Sequence, residues 1–141
     1  MITNTDQKPS KESAKRSIKA LILDDNNFDR KRLRRLARQT GVPLEFTDCA
    51  SLIAFEKHLD INVFQIVFID YRLPEGNGLQ ALRILEKHKR NASAAPILIA
   101  GDVDAEVVAA AFKQGCADYI AKHNVDTRSL RHALLSVLVE N

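Results

Sequence analysis

The sequence predicts an α/β fold: one parallel sheet with helices packed on both faces, joined by right-handed crossovers. Three observations predict it. Short apolar runs of strand length alternate five times with stretches of helical periodicity. The 141-residue chain is 45% hydrophobic, enough for a single domain whose core buries roughly 68–70% of the unfolded surface. The two cysteines, Cys49 and Cys116, lie too far apart in sequence to form a disulfide framework or a four-ligand zinc site, so packing alone must hold the fold.

The elements follow in order. Met1 to Ser17 is polar and turn-rich, with too little apolar surface to offset its ordering entropy; it reads as a flexible tail, and residues 18–141 as the domain. Ile18 to Leu23 forms the first strand and stops at Asp24 and Asp25. Leu33, Leu36, Ala37 and Thr40 then recur at helical spacing, and Gly41 closes the helix. Val42 to Thr47 suits a short second strand, and Ser51 introduces a helix carrying Leu52, Phe55 and Leu59. Phe64 to Ile69, dense in branched and aromatic residues, is the strongest strand signal and ends at Asp70.

Leu73 to Gly78 (LPEGNG) reads as a loop, because one proline and two glycines continue neither pattern. A third helix is expected over about Leu79 to Lys89. Pro96 introduces a fourth strand, Ile97 to Ala100, and a fourth helix presents Val108, Ala111 and Phe112 before Gly115. Asp118 to Ala121 makes a fifth strand, and the last helix places Leu130, Leu134, Val137 and Leu138 on one face.

Several functions are disfavoured by composition. No apolar run reaches the ~20 residues of a membrane span, and no secretory signal is visible, so a reduced, cytoplasmic chain is expected. With six phenylalanines, two tyrosines, no tryptophan and a net charge of only +3, neither a base-stacking platform nor a recognition helix for nucleic acid is evident.

In parallel sheets of this kind the ligand site lies beyond the carboxyl ends of the strands. Asp24 and Asp25 follow the first strand, Asp70 the third, Gly101 and Asp102 the fourth, and Lys122 the fifth. First and third strands are usually neighbours, so Asp24, Asp25 and Asp70 should converge. Three gathered carboxylates repel unless a cation sits among them, and hard oxygen donors without histidine or thiolate suit Mg2+. Lys122 would add a point charge for a phosphoryl oxygen, and together these groups suit phosphoryl transfer with Asp70 as nucleophile. The plainer alternatives are that Asp24 and Asp25 cap the first helix, that Asp70 is an ordinary strand-to-loop residue, and that Lys122 is a surface lysine.

Four segments in order, LILDDN (Leu21 to Asn26), FIDYRLPEGNG (Phe68 to Gly78), PILIAGD (Pro96 to Asp102) and DYIAK (Asp118 to Lys122), resemble the receiver domain of two-component response regulators from Ile18 to the C-terminus. The resemblance implies a flavodoxin-like sheet in order 2-1-3-4-5. It implies that Asp70 accepts a phosphoryl group from a phosphohistidine on a sensor histidine kinase or histidine phosphotransfer protein. Asp25 and Asp70 would ligate Mg2+ directly, Asp24 through water, the backbone carbonyl of Arg72 would complete the protein ligands, and Lys122 would meet the phosphoryl group.

The chain departs from the family at two places. Gly101 stands where a serine or threonine hydroxyl usually follows the phosphoryl group, so the aromatic switch position, Tyr119, lacks its partner; Asp102, next to it, is usually a small residue. His123 stands where a proline usually shapes the loop after Lys122, so a trans bond and a reshaped loop are expected.

Arg30, Lys31, Arg32, Arg34, Arg35 and Arg38 crowd the first helix, either as a solvated face or as a dock for an acidic partner helix. His58, His88, His123 and His132 lack ligand spacing and read as surface residues; Cys49 and Cys116 read as small core hydrophobes. The leading functional reading is a stand-alone phosphoacceptor with no room for an output domain, signalling to an unidentified output protein through contacts. The alternative is a pseudo-receiver that binds a partner without phosphate. An enzyme is disfavoured: a dehalogenase-type phosphatase would want an aspartate at Arg72, and a flavodoxin a Ser/Thr/Gly loop where DDNNFD stands.

Overall fold

The computed structural model describes residues 17–139. The expected flexible tail, Met1 to Ser17, lies outside the described residues except for Ser17. Strands β1 (Ile18–Leu23), β2 (Leu44–Cys49), β3 (Ile66–Asp70), β4 (Ala95–Ala100) and β5 (Asp118–Ala121) form one five-stranded sheet. Its order is β2-β1-β3-β4-β5 and every pairing is parallel, as expected for the flavodoxin-like arrangement. Helices α1 (Asn27–Gln39), α2 (Leu52–Ile61), α3 (Gly78–Lys87), α4 (Ala105–Lys113) and α5 (Thr127–Val139) connect and follow the strands.

The strands are apolar on both faces because both faces are covered. Their alternating side chains divide the core in two. Leu21, Leu23, Val67, Ile69 and Leu98 pack with Phe55 and Leu59 of α2, Leu82 and Leu85 of α3, and Ala111 of α4. Ala20, Ile22, Ile66, Phe68, Ile97 and Ile99 pack with Leu33 and Ala37 of α1 and Leu130, Leu134 and Val137 of α5. Cys49 and Cys116 are buried among these residues, as expected.

Helix starts follow the sequence closely. Asn26 accepts the Asp29 amide at 2.9 Å, and Ser51 accepts the Ala54 amide at 3.1 Å. Gly41, at φ +84°, follows the last turn of α1 and turns the chain toward β2.

Other boundaries differ from expectation. The LPEGNG segment is not irregular: Arg72–Leu73 pairs with Gly76–Asn77 as a small antiparallel hairpin, and Gly78 already belongs to α3. Asn77 and Gln80 form a capping box that starts this helix, and its end falls at Lys87, short of Lys89. Pro96 lies inside β4; it pairs in register with Val67, and its carbonyl accepts the Ala117 amide at 2.8 Å. Phe112 is exposed instead of buried, because α4 is short and turns only Ala111 fully inward. The last helix buries Ala133 in addition to the expected residues and leaves Leu138 half-buried. After Lys122 the bond is trans, as expected, and Lys122–Asn124 forms a turn of 3-10 helix.

Candidate functional site

Parallel strands deliver their carboxyl ends to one edge, so the residues just past β1, β3 and β5 meet there. Asp24 and Asp70 are buried, 8% and 5% exposed, while Asp25 faces solvent. Asp24, Asp25 and Asp70 each offer an oxygen within 4.8 Å of the others. Lys122 reaches in from β5, with Nζ 3.4 Å from Asp70 Oδ1. The sequence-predicted quartet is thus brought together.

The backbone around Asp24 is fixed from several sides. Its amide donates to the Cys49 carbonyl at 3.0 Å, and its Oδ1 accepts the Asn26 amide at 2.9 Å. The Arg30 guanidinium donates to the Asp24 carbonyl and to Asp48 Oδ2. Asp70 closes β3, and the next amide, of Tyr71, donates to the Ile99 carbonyl at 3.0 Å. Gly78 permits this edge to close: its amide donates to the Tyr71 carbonyl at 2.7 Å, and a Cβ there would stand 3.2 Å from the Asp70 carbonyl oxygen.

Burial and mutual repulsion disfavour the ionised carboxylates of the site. Burial, with the Asp70 charge, pushes the Asp24 carboxyl up from 3.8 to about 7, although the Asn26 amide and Lys122 oppose the shift. Burial also raises Asp70 above the ordinary carboxylate range, against the pull of Lys122. Burial disfavours the Lys122 charge, yet Asp70, Asp29 and Asp24 together hold its pKa above the usual value. Three carboxylates, no thiolate or imidazole in the cluster, and one side open to solvent fit a small hard divalent cation such as Mg2+.

Arg72 starts the hairpin two residues past Asp70, and its guanidinium lies 3.4 Å from the Asp102 carbonyl oxygen. Gly101 is half-buried at the end of β4, and a Cβ there would meet nothing within 4 Å. The neighbouring Asp102 is exposed. Tyr119 is half-buried and packs against the core beneath α2, α3 and α4.

Sequence reasoning missed Asp29. It sits in the first turn of α1, and its Oδ2 lies 3.2 Å from Lys122 Nζ. Asp24, Asp29, Arg32, Leu33, Ile99, Lys122, His123 and Val125 line a cleft of about 360 Å³ between α1 and the turn after β5. The basic run on α1 is not one solvated face. Arg30 and Arg34 grip Asp48, Arg32 donates to the Val125 carbonyl at 2.9 Å, and only Lys31, Arg35 and Arg38 stand exposed. Nor are all the histidines free at the surface: His88 is half-buried with Nε2 2.9 Å from Asp60, and His58 is half-buried.

Comparison with known proteins agrees with this geometry. The family model described as response regulator receiver domain matches residues 20–135. RegA, the photosynthetic apparatus regulatory protein of Rhodobacter capsulatus, is 29% identical over 116 residues, covering 82% of this chain and 60% of its own. The transcriptional regulatory protein LytR of Staphylococcus aureus is 29% identical over 105 residues, 74% of this chain and 41% of that protein. A third relative, the peroxide stress-activated histidine kinase mak3 of Schizosaccharomyces pombe, is 32% identical over 83 residues, 57% of this chain and 4% of that protein. The chain therefore spans between a twenty-fifth and three fifths of these relatives.

Among solved structures, a CheY-like receiver domain protein from Methanospirillum hungatei superposes with a TM-score of 0.78 at 21% identity, covering 88% of this chain and 95% of that one. The receiver domain of a sensor histidine kinase from Pseudomonas aeruginosa, solved with magnesium coordinated in its active-site cleft, gives 0.76 at 19% identity, covering 87% and 98%. Among the described residues no helix is long and apolar enough to cross a membrane. With the family match spanning most of its length, this chain belongs to the response regulator receiver domains.

Proposed function

We propose that this domain accepts a phosphoryl group on Asp70 from a phosphohistidine of a sensor histidine kinase or a histidine phosphotransfer protein. One observation carries the reading: a buried carboxylate at the end of the central strand gathers two further carboxylates within 4.8 Å and an ammonium 3.4 Å away. An Asp70 carboxylate oxygen attacks phosphorus, the new P–O bond forms as the P–N bond breaks, and the histidine nitrogen leaves with the electron pair.

Asp24, Asp25, Asp70 and the backbone carbonyl of Arg72 would hold Mg2+, which when bound neutralises the carboxylates and the incoming phosphoryl charge. Burial disfavours the Asp70 carboxylate, and Lys122 opposes that shift and favours the ionised nucleophile. Lys122 donates to a phosphoryl oxygen and offsets its charge. Signalling then proceeds by protein contacts in the cytoplasm rather than by substrate turnover.

The experiment is incubation with a small phosphodonor and Mg2+, read by intact mass. An adduct of ~80 Da that is lost in Asp70→Asn supports phosphoryl acceptance. Absence of the adduct at saturating donor favours the second reading, a pseudo-receiver that works without phosphate. Gly101 supports that alternative, since no side chain there can follow a phosphoryl group toward Tyr119.

A further inference from the structure

The ammonium of Lys122 has two claimants. Its Nζ lies 3.2 Å from Asp29 Oδ2 on α1 and 3.4 and 3.5 Å from the two oxygens of Asp70 on β3. Asp29 is half-buried and belongs to neither the carboxylate cluster nor the strand ends. It offers Lys122 a single carboxylate charge, whereas a phosphorylated Asp70 would offer a group carrying about −1.5 to −2 and three strong acceptor oxygens. Ammonium is a compact point charge on a flexible stem, free to follow the stronger acceptor.

The surroundings of this pair tie α1 to the chain after β5. Arg32 of α1 donates to the Val125 carbonyl at 2.9 Å, Thr127 donates to Gln39 at 2.8 Å, and Arg131 donates to the Thr40 carbonyl at 3.1 Å. The cleft lined by Asp29, Arg32, Leu33, Lys122 and Val125 opens between the two segments. Gly101, just past the end of β4, has no side chain to move, and a Cβ there would meet nothing within 4 Å. The connection from Asp70 to the rest of the molecule is therefore better built through Lys122 toward α1 than through position 101.

We propose that Asp29 is a positioning residue: it holds the Lys122 ammonium against α1 until the phosphoryl group on Asp70 draws it away, so that phosphorylation is reported to the seam between α1 and residues 122–125. The inference rests on the phosphoacceptor reading and adds a route for its signal. A ligand shifts an equilibrium only by its differential affinity for two states, and here the two states are Lys122 paired with Asp29 and Lys122 paired with the phosphoryl group.

The test uses the full chain labelled with 15N, with beryllium trifluoride and Mg2+ as the phosphoryl mimic. Wild-type amides should shift at 70–72 and also at 29–33 and 122–125. In Asp29→Asn the seam amides should lie near their mimic-bound positions before any addition, and their further response should fall by at least half. Asp29→Glu should restore the wild-type response, and Asp29→Asn should take up phosphoryl groups from a small donor several-fold faster. Mimic binding with silent amides at 29–33, an unchanged response in Asp29→Asn, or no rescue by Asp29→Glu overturns the proposal. If neither mimic nor phosphodonor modifies the wild-type chain, the phosphoacceptor reading itself fails and this inference falls with it.

Discussion

Replacing Asp24 with asparagine should stabilise the metal-free protein, and increasingly so as pH rises. The Asp24 carboxyl is 8% exposed, and its pKa rises from 3.8 to about 7 in the fold, first through burial and then through the Asp70 charge. A raised folded-state value means that folding favours the protonated form. Ionisation therefore costs stability, beginning as pH passes 3.8 and complete above about 7. Between pH 5 and pH 8 that cost grows by about 2 to 3 kcal/mol, taking 1.36 kcal/mol per pKa unit.

Asparagine keeps an oxygen for the Asn26 amide and cannot ionise. Urea denaturation in EDTA at the two pH values measures the effect. The stability gap between Asp24→Asn and wild type should widen by about 2 to 3 kcal/mol from pH 5 to pH 8. Millimolar Mg2+ should shrink the gap at pH 8, because the cation stabilises the ionised wild-type cluster. Parallel pH profiles for the two proteins would refute the electrostatic account of the site.

Gly78→Ala should cost about 1 to 3 kcal/mol in denaturation and slow phosphoryl uptake, since its Cβ would stand 2.8 Å from Leu98 Cδ1 and 3.1 Å from the Tyr71 Cα. Asn91→Ala, at a side chain 1% exposed that bonds the Leu59 and Asn62 carbonyls and the Phe64 amide, should cost about 2 to 4 kcal/mol by denaturation. It should leave uptake per folded molecule unchanged, because it lies on the opposite edge of the sheet. Gly101→Ser should fold with stability within about 0.5 kcal/mol of wild type, as its Cβ enters open space. With the hydroxyl in place, addition of beryllium trifluoride should perturb Tyr119 ring resonances more than it does in wild type.

The quartet Asp24, Asp25, Asp70 and Lys122 was readable because a parallel sheet converts sequence order at strand ends into proximity at one edge. That reasoning needs only the strand pattern, which is strong here because β1, β3 and β4 are buried on both faces. Boundaries set by pairing were less readable. Pro96 looked like an entry to its strand, yet β3 draws it into register with Val67. The hairpin over Arg72 to Asn77 depends on Gly78 closing against Tyr71, a contact with no sequence periodicity.

Pairings across the fold were invisible. Asp29 and Lys122 are 93 positions apart, and one acid in a polar helix face carries no signal of its partner. The arginines of α1 read as a basic patch because nothing local marks Asp48 as the residue that Arg30 and Arg34 grip. Phe112 looked like core because helical spacing favoured it, whereas packing against α3 and the sheet turned Ala111 inward instead.

The most direct test of the phosphoacceptor claim is the position of the modification. After exposure to a small phosphodonor with Mg2+, borohydride reduction converts an aspartyl phosphate to homoserine, which peptide mass spectrometry locates. Homoserine at position 70, dependent on Mg2+, is the expected result. Homoserine at another aspartate, or none at saturating donor and metal, would contradict it.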